Sequence, residues 1–69
     1  MDKFLIGNKI RKLRGKKTLS EFAKLCNVSA KTISNIENGK NKFRIETFLK
    51  IALGLKMTPK DLFDHILKD

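Results

Sequence analysis

Apolar residues recur along this chain at helical spacing. Ile6, Ile10 and Leu13 stand at i, i+4 and i+7 and predict a first helix over residues 3 to about 14. Gly7 lies within it, weakening it by about 1 kcal/mol relative to alanine. Phe22, Ala23 and Cys26 share a face of a second helix, from about Leu19 to Cys26, with Leu25 beside them. Ile33 and Ile36 are the only large apolar residues of a third, from about Ala30 to Asn38. Ile45, Phe48, Leu49 and Ala52 mark one face of a fourth, from Ile45 to about Leu53, and Leu55 and Met57 after it read as core. Leu62, Phe63, Ile66 and Leu67 carry a fifth to the C-terminus.

Punctuation between these segments agrees with the pattern. Thr18 is a good N-cap, and Glu21 three residues later completes a capping box. Asn27 tolerates a left-handed backbone and suits a turn, with Val28 as its apolar plug. Ser29 opens the next helix, Asn38-Gly39 stops it, and Gly54 closes the fourth. Thr58-Pro59 with Asp61 is a further helix start. Phe43 reads as packing inward to pin a basic loop. The fold class that follows is all-α: five short helices, no strand, one domain over residues 1–69. Helices two and three are too short to stand alone, so one, four and five must be their scaffold.

Charge sharpens the picture. The chain of 69 residues carries 16 basic and seven acidic residues, a net +9. Residues 1–17 hold seven basic and one acidic, and residues 40–50 hold four basic and one acidic, whereas 18–39 and 51–69 are each neutral. Positive charge thus brackets the central helix pair, as in a polyanion-binding surface. Within the third helix, Lys31, Ser34, Asn35 and Asn38 fall opposite Ile33 and Ile36 at about 100° per residue. That face offers hydrogen bonds outward.

Other classes find little support. No apolar run approaches the roughly 20 residues that span a membrane, and no signal-peptide pattern begins the chain. A single cysteine suits a reducing cytoplasm, and Cys26 reads as a small core hydrophobe. There is no nucleophile–base pair, metal-ligand cluster or phosphate-cradling glycine loop, so neither an enzyme nor a cofactor is expected. His65, the one histidine, reads as a surface or interface residue rather than a ligand.

Ile10 to Arg14, Phe22-Ala23 before Val28-Ser29, the run Thr32 to Gly39, and Leu49 to Ala52 followed by Leu62-Phe63 together resemble the lambda-repressor/Cro (Xre-like) helix-turn-helix family. The resemblance implies a five-helix domain whose third helix enters the major groove of double-stranded DNA. It implies base contacts from Ala30, Lys31, Ser34 and Asn35. It implies phosphate contacts from Thr18, Leu19, Ser20, Thr32, Asn38, Lys40, Asn41 and Lys42. Glu37 matches a position that pairs with an arginine of the first helix, here Arg14 or Arg11. Two departures stand out. Relatives usually carry a phosphate-anchoring glutamine where this chain has Leu19, and the link from the first helix to Ala23 is about two residues shorter than usual. The function implied is a transcriptional regulator, a repressor, binding two-fold-related sites as a homodimer without a small-molecule ligand. Ile66 and Leu67 are either a dimer surface or core. An antitoxin or anti-repressor holding a partner protein is the other reading of the same fold.

Overall fold

Three helices of the computed structural model, which describes residues 3–40 and 44–67, begin at a hydroxyl. The helices are α1 (Lys3–Arg14), α2 (Leu19–Cys26), α3 (Ala30–Glu37), α4 (Ile45–Gly54) and α5 (Pro59–Leu67), with no strand among the described residues. Thr18 Oγ1 accepts from the Glu21 amide at 3.1 Å, and Glu21 Oε1 accepts from the Thr18 amide at 2.8 Å. Ser29 Oγ accepts from the Thr32 amide, and Thr58 Oγ1 from the Asp61 amide, each at 3.1 Å. The three starts expected from sequence are therefore all present.

Three helices also end alike. At α2 the Val28 amide reaches back to the Ala23 carbonyl across the left-handed Asn27 (φ 56°). At α3 the Lys40 amide reaches the Asn35 carbonyl across Gly39 (φ 67°). At α4 the Met57 amide reaches the Ala52 carbonyl across Lys56 (φ 58°). Each closure pairs a last-turn carbonyl that the helix itself leaves open. Asn38 proves to be the cap of α3 rather than its last residue.

The third closure corrects the sequence reading. Gly54 is the last residue of α4, and Lys56 takes the left-handed turn. A Cβ on Gly54 would stand 2.7 Å from Cys26 Sγ and 2.8 Å from the Leu25 carbonyl oxygen. Gly54 is thus a contact point between α4 and α2. Lys56 carries strain that glycine would not. Lys56→Gly is expected to stabilise the fold by roughly 0.5–1 kcal/mol, the left-handed strain less the added freedom of the unfolded chain. The check is the urea midpoint at constant slope. A midpoint that stays put would show that no strain resides there.

Every helix contributes to one core. Ile10, Phe22, Ile33, Ile51 and Leu62 are fully buried, one from each helix. Ala23, Cys26, Ile36, Ala52 and Ile66 complete it. Burial pushes the Cys26 thiol up to about 11, so it stays protonated at neutral pH, as a small core hydrophobe should. The face expected of α4 is rotated. Ile51 and Ala52 are buried and Phe48 is half-buried, while Ile45 is 70% exposed and Leu49 46%. Six of ten positions in α4 are large apolar residues or alanine, more than one core face can cover. The close approach at Gly54 sets which of them turn inward. Leu55 and Met57 pack half-buried against the core as expected, and Ile66 lies within it.

Candidate nucleic-acid interface

α2 and α3 pack on one another through Phe22, Ala23 and Cys26 on one side and Ile33 and Ile36 on the other. The turn between them is three residues, Asn27 to Ser29, with Val28 half-buried against the core. Its left-handed Asn27 redirects the chain without a longer loop.

With Ile33 and Ile36 buried, α3 turns its other residues outward. Lys31 is exposed, and Ser34 and Asn35 are half-exposed. The Asn35 carboxamide has no hydrogen-bond partner among the described residues. Ala30, also half-exposed, sits at the first turn with its methyl against the edge of the core. Two polar side chains expected on phosphate are engaged in local capping. The Thr32 hydroxyl pairs with Ser29 Oγ at 2.8 Å. Asn38 Nδ2 donates to the Ser34 carbonyl at 2.8 Å and to Ser34 Oγ at 3.4 Å. Lys40 is exposed just beyond the end of α3, while Asn41, Lys42 and Phe43 lie outside the described residues.

At the start of α2, the first intrahelical bond runs from the Phe22 amide to the Thr18 carbonyl. The Leu19 and Ser20 amides precede it and remain available, as the first turn of any helix leaves them. Ser20 and Thr18 are exposed there. Leu19 is half-buried, with its side chain packed on the core. A leucine where a polar anchor is expected therefore adds to the core and leaves only its amide for an anion. The hydrogen bonds from the Thr18 amide and hydroxyl side hold the exposed Glu21 carboxyl below the usual carboxylate range.

Behind α3 stands a buried carboxylate. Glu37 is 4% exposed. Arg14 grips it with two parallel bonds, Nε to Oε2 at 2.8 Å and Nη2 to Oε1 at 3.0 Å. Arg11 Nε adds a longer one to Oε1 at 3.3 Å. The question of which arginine pairs with Glu37 is thus answered by both, with Arg14 the closer. The bond to Glu37 raises the Arg14 guanidinium above its ordinary range. α1 can come this close because Gly7 has no side chain: a Cβ there would collide with the Glu37 carbonyl oxygen and stand 2.7 Å from that of Ile36.

One contact was not visible in the sequence. Arg14 Nη1 donates to the Lys17 carbonyl at 2.8 Å, just before the Thr18 cap. The only signal for it was the short link after α1. Elsewhere, Lys9, Lys12, Asp61, Asp64 and His65 line a mixed-charge groove between α1 and α5. Among the described residues no group of three or more His, Cys, Asp or Glu is placed to hold a metal ion.

Comparisons with known proteins bear on this geometry. Residues 9–62 match the family model described as helix-turn-helix. Over 70 aligned positions, covering 97% of this chain and 95% of the relative, the sequence is 40% identical to control protein C.MunI from a Mycoplasma species. No solved structure matches.

Proposed function

Because the chain belongs to the helix-turn-helix family and is a DNA-binding transcriptional regulator, we propose that it reads its operator with α3 in the major groove and acts there as a repressor. The observation that carries this is the outer face of α3. Lys31, Ser34 and Asn35 face solvent on a helix capped at both ends, while Ile33 and Ile36 anchor it from behind. Lys31 donates to guanine O6 and N7, Asn35 pairs bidentately with adenine N6 and N7, and Ala30 meets a thymine methyl. Ser34 lies on the same reading face. Backbone and side-chain groups of Thr18, Leu19, Ser20, Thr32, Asn38, Lys40, Asn41 and Lys42 take the phosphates, with Leu19 acting through its amide alone. The relative's name, control protein, supports a regulatory role.

The second part of the proposal is a homodimer on two-fold-related half-sites. One domain of this size reads too few bases for strong specificity. The support lies in α4 and α5, where Ile45, Leu49, Leu53, Phe63 and Leu67 are 46–79% exposed. Of the two residues weighed for this surface, Leu67 is exposed and Ile66 is core. No helix of the described residues is long and apolar enough to cross a membrane, which suits a regulator acting on DNA in the cytoplasm.

Selection of bound sequences from a random duplex pool tests both parts. A palindromic consensus supports the reading, and absence of enrichment overturns it in favour of a module that holds a partner protein. On the selected site, Asn35→Ala is expected to cost roughly 1–3 kcal/mol and to relax preference at one position per half-site. Equal discrimination between selected and scrambled duplexes by wild type and variant would remove Asn35 from the base-reading set.

A further inference from the structure

We propose that Arg14 is the positioning residue of the phosphate-binding edge, holding the start of α2 and the end of α3 at one fixed spacing. This rests on the DNA-binding reading above. The two segments are far apart in sequence, yet a single guanidinium joins them. Its Nε and Nη2 hold the Glu37 carboxylate, one residue before the Asn38 cap, and its Nη1 holds the carbonyl of Lys17, one residue before the Thr18 cap. The Lys17 amide in turn donates to the Arg14 carbonyl at 3.3 Å. Arg14 therefore closes the link between α1 and α2 with its backbone and its side chain together.

This matters because of Leu19. With that side chain on the core, no side chain at this position steers a phosphate onto the first turn of α2. The Leu19 and Ser20 amides must then be placed by the backbone, and the backbone enters α2 from Lys17. Arg14 itself is not a phosphate ligand. Its side chain is 19% exposed and its charge is matched by Glu37. Arg11 differs, with a side chain 53% exposed and a single long bond to Glu37. Only arginine suits the role of Arg14. A planar fork can address a carboxylate along one edge and a carbonyl along another, whereas the donors of lysine radiate from one atom.

The experiment compares Arg14→Lys with the parent chain, both in the Lys56→Gly background to favour the folded state, and keeps formal charge constant. Amide hydrogen exchange, without DNA, is expected to quicken at Glu21 and Phe22 by at least tenfold more than at Ile33. Titration of duplex DNA over a range of salt is expected to show about tenfold weaker binding of the selected and scrambled sites alike, with the log–log salt slope unchanged, because the displaced amides are neutral and no cation leaves a phosphate. Loss of packing alone would quicken all amides together. Uniform exchange, or equal affinity once folded fractions are matched, overturns the proposal. A parent chain that binds no duplex overturns the DNA-binding reading instead, a result distinct from parent and variant binding equally well.

Discussion

Gly7→Ala is expected to destabilise the protein by about 3 kcal/mol, the reverse of what helix propensity alone predicts. In an isolated helix the change gains about 1 kcal/mol. Here the added methyl would run into the carbonyl oxygens of Ile36 and Glu37, backbone atoms of α3 that cannot rotate aside. Overpacking costs roughly 1–3 kcal/mol even where side chains can yield, and more where they cannot. The helices can relieve the clash only by parting, and parting stretches the bonds from Arg14 and Arg11 to Glu37. Net stability for a domain of this size is roughly 3–5 kcal/mol, so the variant should be substantially unfolded near body temperature. Urea or thermal unfolding followed by circular dichroism measures this directly. A variant more stable than its parent would mean that α1 does not cross α3 so closely.

Glu37→Ala should cost a similar amount, about 3 kcal/mol, for a different reason. Removing one partner from a buried ion pair leaves the other charge with no match in a poor solvent. Two guanidinium groups would then face each other across the vacated site. Arg11, half-exposed, can swing into water, which limits the penalty, but Arg14 has little room to follow. Glu37→Gln keeps the shape and an acceptor oxygen, so it should cost less. The order Gln above Ala in urea midpoint is the diagnostic result. Equal midpoints for both variants and the wild type would mean that the ion pair contributes nothing to folding.

What could be read in the sequence follows from how local each cause is. The caps at Thr18, Ser29 and Thr58 involve atoms three residues apart, and all three were legible. So were the turns at Asn27 and Gly39, because those residue types favour the left-handed region. Lys56 was not legible. Lysine has no such preference, and its conformation is imposed by how α4 hands over to α5. The rotation of α4 was hidden by its surplus of apolar positions, which offer more than one inner face on pattern alone. Gly7 and Gly54 read as a weak helix position and a helix stop. Their actual role, close approach, depends on backbone atoms of α3 and α2. For the candidate site, the outward set on α3 was legible from two isoleucines, and the Glu37 partnership came with the family resemblance. The hold of Arg14 on Lys17 needed coordinates.

The buried sulfur has one more consequence. Cys26 is sealed in the core with its proton on, so alkylating reagents can reach a reactive thiolate only in molecules that have opened. A single atom thereby reports the open population chemically, with no label added to the chain. DNA that binds the closed form alone protects that sulfur by the same factor that binding contributes to stability. Affinity and folding are read on one scale.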